Sequence, residues 1–132
     1  MARIIVAEDD EIISELLQEA LIRAGHGVGV LADGNEALRV IRARKPDLVI
    51  LDCNLPGLSG VLILQELRKS QKTWGLPVLM LTGRRSEADV ALAMFAGADE
   101  YMKKPCDPEE VVFRIEEMLA KKAAPVPARR AL

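Results

Sequence analysis

The sequence predicts an α/β fold: a five-stranded parallel sheet with helices on both faces. Short apolar runs alternate with amphipathic stretches five times along the chain. Parallel strands need crossover connections, and helices of about ten residues supply them. The apolar runs lack clear polar alternation, as expected of strands covered on both sides.

Residues 4–7 are too short for a buried helix and stop in Glu8, Asp9, Asp10 and Glu11, so they read as the first strand. Over 11–24, Ile13, Leu16, Leu17, Ala20 and Leu21 recur at helical spacing, and Gly25 is placed to end that helix. His26, just past this helix end, is expected at the surface. Residues 28–31 form a weaker strand, loosened by Gly27 and Gly29. Asp33 is placed to cap a helix over 35–44 whose inner face carries Ala37, Leu38 and Ile41.

"DLVILD" (47–52) is the clearest strand, continuously apolar and then abruptly acidic. "NLPGLSG" (54–60) is loop chemistry, with Ser59 placed to cap a helix reaching about Lys69. Trp74 is expected to cover an edge of the core. Residues 76–82 form a fourth buried strand. Ser86 and Asp89 resemble a capping box for a helix that runs to about Ala96 and is ended by Gly97. "DEYM" (99–102) is a short fifth strand. Pro108 opens a last helix with Val111, Val112, Ile115 and Leu119 inward.

The 132 residues suit one compact domain, and 50% of them are hydrophobic, enough for a sizeable core. Aromatics are only 3%, so aliphatic packing fills it. A net charge of −2 argues against nucleic acid as the main partner. No apolar run approaches the ~18–20 residues of a membrane span, and the amino end does not read as a signal peptide. Cys53 and Cys106 have neither metal-site spacing nor a disulfide-rich context, which suits a reducing cytoplasm. From about residue 121 the chain turns Pro-, Ala- and Arg-rich and reads as a flexible tail or linker stub.

In an open parallel sheet, function gathers at the carboxyl ends of the strands. Those ends deliver Glu8 and Asp9, Asp52, Thr82 and, after the fifth strand, Lys103, Lys104 and Pro105. Three acids meeting at a point call for a cation, and hard oxygen ligands favour Mg2+ or Mn2+ over zinc. A hydroxyl and an ammonium opposite the metal suit a phosphoryl group, and a central carboxylate can act as its nucleophile.

"IIVAEDD", "DLVILDCNLPGLSG", "PVLMLTG" and "GADEYMKKP" resemble, in order and interval, the receiver domain of two-component response regulators. The resemblance covers about residues 2–120 and implies a receiver domain at 1–121 followed by a tail at 122–132. It implies the flavodoxin-like strand order 2-1-3-4-5. By the same resemblance Asp52 is the phosphoacceptor. Glu8, Asp9, Asp52 and the Asn54 backbone carbonyl hold Mg2+. Thr82 and Tyr101 are switch residues, Lys104 pairs with the phosphoryl group, and the Lys104–Pro105 peptide is cis.

The implied partners are a sensor histidine kinase or histidine phosphotransfer protein upstream. Downstream stands a protein target or a C-terminal output domain. Direct nucleic-acid binding by this domain and membrane association are not expected, and the cytoplasm is the expected location. The domain would be a switch with self-catalysed phosphorylation and slow autodephosphorylation rather than a turnover enzyme. An aspartate-nucleophile phosphohydrolase usually has a second Asp two positions on, where this chain has Asn54. A binding module that never accepts phosphate fits poorly with the intact polar set. Cys106 and Leu62 depart from the family pattern, and Leu62, Ile12 and Ile22 are candidates for exposed contacts.

Overall fold

Ten elements alternate along the described residues: β1 (Arg3–Ala7), α1 (Glu11–Arg23), β2 (Gly27–Leu31), α2 (Gly34–Arg44), β3 (Leu48–Asp52), α3 (Gly60–Lys69), β4 (Val78–Thr82), α4 (Glu87–Phe95), β5 (Glu100–Lys103) and α5 (Pro108–Ala123). The computed structural model describes residues 1–83 and 87–123. Ser86, the expected cap of α4, lies outside them, as does the chain from residue 124. The strands form one sheet in the order β2-β1-β3-β4-β5, and every pairing is parallel.

Period-two alternation is present in the strands but hidden in the sequence, because both faces are apolar. Ile4, Val6, Leu48, Ile50, Leu79 and Leu81 pack on one side with Leu17, Ala20 and Leu21 of α1 and Val111 and Ile115 of α5. Ile5, Ala7, Val49, Leu51, Val78 and Met80 pack on the other with Ala37 and Ile41 of α2, Ile63, Leu64 and Leu67 of α3, and Ala93 of α4. Each fully buried aliphatic side chain contributes about 1.5–3 kcal/mol.

Helix starts follow the sequence. The Asp10 carboxylate accepts from the Ile12 and Ile13 amides, Asp33 from Glu36, and Ser59 from Leu62. Gly25 adopts φ +96° just past α1, where a side chain would be strained. Strand ends shift slightly: β4 starts at Val78, after Leu76 and Pro77, and β5 runs one residue further than "DEYM". Helix α5 continues to Ala123, so Lys122 and Ala123, assigned to the tail by sequence, are helical.

Three expectations are corrected. Leu16 is 48% exposed, while Ser14 takes an inward place on α1. A Ser14 hydroxyl bond to the Glu11 carbonyl makes that position tolerable for a polar residue. Trp74 is 66% exposed and covers no core edge, because Leu76 and Thr73 fill that turn instead. The His26 side chain is buried at 7% exposure: Nδ1 accepts from the Ala2 amide at 3.0 Å and Nε2 lies 3.1 Å from Glu116 on α5. It thereby ties the start of β1 to α5. No helix among the described residues is long and apolar enough to cross a membrane.

Candidate functional site

The chain leaves β1 into α1 on one face of the sheet and leaves β3 into α3 on the other. A crevice therefore opens at the carboxyl ends of these adjacent strands. Ala7 pairs with Leu51, so Glu8 and Asp52, one residue further along each chain, end up side by side. Glu8, Asp9 and Asp52 each offer an oxygen, all within 4.8 Å of one another. Glu8 and Asp52 are buried, whereas Asp9 faces solvent.

Each carboxylate is held by the local backbone. The Asn54 amide donates to Asp52 Oδ1 at 3.1 Å, and the Asp10 amide donates to Glu8 Oε2 at 3.1 Å. Asp10, whose side chain caps α1, thus also orients Glu8 through its amide. Gly60 was missed altogether. A Cβ there would collide with the Asp52 carbonyl oxygen, so α3 can start this close to Asp52 only with glycine at that position. Its single sequence signal was the second glycine of "GLSG".

Lys104 arrives from the end of β5, where its amide donates to the Thr82 carbonyl and its peptide bond to Pro105 is cis. Its Nζ stands 2.7 Å from Glu8 Oε1 and 3.0 Å from Asp52 Oδ2. The approach to Glu8 is an ion pair, and Oε1 is otherwise buried without a well-aligned hydrogen bond. Burial pushes the Glu8 carboxyl above its usual range, and Asp52 adds to the rise, while Lys104 and the Asp10 amide oppose it. Burial pulls Lys104 down, but its bonds to Glu8 and Asp52 outweigh that and leave it raised. Burial likewise raises the neighbouring Cys106 thiol.

Thr82 is buried at the end of β4. Tyr101 pairs with Met80, so it lies one step below Thr82 on the same face of the sheet, and it is half-buried. Asn54 and Pro105 are exposed at the rim. The fold therefore gathers Glu8, Asp9, Asp52 and Lys104 into one cluster, with Thr82 at an adjoining strand end. The buried, poorly bonded Glu8 oxygen and the three hard oxygen donors fit a divalent cation. Chemically, the cluster combines carboxylates, one ammonium and three oxygen donors that could hold a metal ion.

A response regulator receiver domain family matches residues 4–116. The alkaline phosphatase synthesis transcriptional regulatory protein PhoP of Bacillus subtilis is 40% identical over 126 residues, covering 96% of this chain and 52% of its own length. The DNA-binding response regulator MtrA of Mycobacterium tuberculosis is 39% identical over 117 residues, covering 89% and 50%. The chain spans about half the length of the curated relatives it matches. Among solved structures, the Francisella response regulator 1452 receiver domain superposes with TM-score 0.86 at 27% identity, covering 92% of this chain and 99% of that one. The BeF3-activated N-terminal receiver domain of Klebsiella pneumoniae RstA gives 0.82 at 32% identity, covering 89% and 97%. With the family spanning most of the chain and the strand order matching, this protein belongs to the response regulator receiver domains of two-component systems.

Proposed function

We propose that this receiver accepts a phosphoryl group on Asp52 from a phosphohistidine donor and passes the change on as a conformational signal. The reading rests chiefly on one juxtaposition: Asp52 beside Glu8, Asp9 and the Lys104 ammonium, at the end of a buried strand. The donor is a sensor histidine kinase or histidine phosphotransfer protein. An Asp52 oxygen attacks phosphorus, the P–N bond breaks, and the released imidazole nitrogen takes a proton.

Glu8, Asp9, Asp52 and the Asn54 backbone carbonyl would hold Mg2+, with Mn2+ an alternative. When bound it supplies positive charge beside the transferring phosphoryl oxygens. Lys104 turns from the Asp52 carboxylate to a phosphoryl oxygen, and the Thr82 hydroxyl donates to another. Tyr101, on the same face, follows Thr82 inward, and the shift spreads to α4, β5 and α5. Ile12 on α1, 70% exposed, and the Pro105–Cys106 turn suit donor docking. Phe95 at 91% and Phe113 at 62% exposure suit contact with a downstream partner.

The output is a partner protein or a C-terminal domain; relatives of this chain are named as DNA-binding response regulators. The receiver itself takes no direct part in nucleic-acid binding and works in the cytoplasm. Its chemistry is limited to its own phosphorylation and slow autodephosphorylation. To test this, the protein is incubated with Mg2+ and acetyl phosphate and its intact mass measured. One added phosphoryl group, lost in Asp52→Asn, is expected; its persistence in Asp52→Asn would overturn the assignment.

A further inference from the structure

The outer edge of β2 is suited to pairing, and among the described residues no strand pairs with it. β2 lies at one end of the sheet and bonds only to β1. The Gly27 amide donates to the Ala2 carbonyl, and the Leu31 carbonyl accepts from the Glu8 amide. In a parallel ladder this phase turns Gly27, Gly29 and Leu31 toward β1 and leaves the amides and carbonyls of Val28 and Val30 pointing outward. Soluble proteins usually blunt such an edge with charges, proline or a bulge. The opposite edge strand, β5, carries Glu100 and Lys103, whereas β2 reads Gly-Val-Gly-Val-Leu.

A groove of about 600 Å3 runs along this edge, lined by β2 and by Ile5, Val40, Arg44 and Pro46 among others. It exists because Gly27 and Gly29 place no side chain there. A Cβ at Gly29 would meet nothing within 4 Å. On α2, Arg42 reaches Glu66 on α3, while Val40 and Arg44 on the opposite side of the helix line the groove, and helical spacing puts Glu36 one turn before Val40 on that same side. Glu36 ion-pairs, among the described residues, with Arg39 alone, in an exposed contact at 3.3 Å. Among the described residues no carboxylate lies within ion-pair distance of the Arg44 guanidinium.

We propose that the occupant of this edge is a second copy of the same chain, with β2 pairing antiparallel to β2 about a two-fold axis through Gly29. Val28 of one copy then stands opposite Val30 of the other and exchanges both backbone hydrogen bonds with it. The same operation sets the two α2 helices side by side and antiparallel on one face. The Glu36 end of one meets the Arg44 end of the other, and Val40 meets Val40. The row Glu36–Val40–Arg44 is thus self-complementary under the symmetry that the strand pairing requires. The two sheets become one ten-stranded sheet whose phosphorylation crevices remain open.

Sedimentation of the full 132-residue chain from about 10 μM to about 1 mM tests this by mass action. The wild type is expected to shift reversibly from monomer to dimer. Gly29→Lys and Gly29→Asp each have space for the new side chain but place like charges at the two-fold axis. Each alone should remain monomeric with unchanged far-UV circular dichroism and phosphoryl uptake, and an equimolar mixture of the two should recover the dimer. Arg44→Glu, away from the strand, should also weaken association. A wild type that stays monomeric throughout overturns the proposal. So does a dimer that survives Gly29→Lys, or is lost instead in Phe95→Ser, or a mixture that fails to associate.

Discussion

Lys104 is the residue on which the acidic cluster depends, because its ammonium is shared between two buried carboxylates at 2.7 and 3.0 Å. Removing one partner of a buried pair costs more than the pair itself contributes, since the opposite charge is left uncompensated. Lys104→Ala should therefore destabilise the metal-free protein by about 1–3 kcal/mol in urea unfolding, and Mg2+ should recover much of the loss. The raised Glu8 carboxyl makes a second prediction, whose sign follows from proton binding. The folded chain holds this proton more tightly than the unfolded chain. The contribution is thus fully present below the ordinary value of 4.5 and is lost as pH rises through the folded value. In metal-free buffer Glu8→Gln should flatten the fall of stability with rising pH above about 4.5, as read from thermal midpoints. An unchanged slope would show that Glu8 does not carry it.

At the scale of elements, Arg68 at the end of α3 ties three segments together. Its guanidinium donates to the Gly97 carbonyl after α4, to the Thr73 and Leu76 carbonyls of the α3–β4 turn, and to Asp99 before β5. Asp99 in turn accepts from the Val78 amide at the start of β4. Arg68→Leu keeps the stem but leaves these carbonyls unpaired, and should cost about 2–3 kcal/mol in urea unfolding. Hydrogen exchange should show the protection lost first around residues 70–77 and 97–99, away from the acidic crevice. This tie could not be read in the sequence, because its partners are backbone carbonyls brought close only by the fold. The elements themselves were legible, since apolar runs, caps and glycine stops act locally. Leu16, Trp74 and His26 were misjudged for the opposite reason: their burial depends on which way a helix face or turn is rotated against neighbours far away in sequence. His26 is the clearest case, since its partners Ala2 and Glu116 lie 24 and 90 residues away.

For the molecule as a whole, the parallel sheet converts distant strand ends into neighbours. That is why the acidic cluster and Lys104 could be anticipated at one edge without any contact being visible in the sequence. Asp10 and Gly60 were not anticipated as parts of that edge, because they act through a backbone amide and through the absence of a side chain. The arrangement leaves three carboxylate oxygens within 4.8 Å, which one ammonium only partly compensates. Mg2+ should therefore stabilise the protein by about 1–3 kcal/mol near saturation, with Asp9→Ala removing most of the gain. Whether Asp52 itself carries the phosphoryl group is decided by trapping. The acetyl-phosphate-treated protein is reduced with borohydride, which converts a side-chain acyl phosphate to its alcohol (homoserine from aspartate, the one-carbon-longer alcohol from glutamate), and its peptides are sequenced by mass spectrometry. Conversion is expected at position 52 alone and only when Mg2+ is present; conversion at position 8 or 9, or none anywhere, would overturn the assignment.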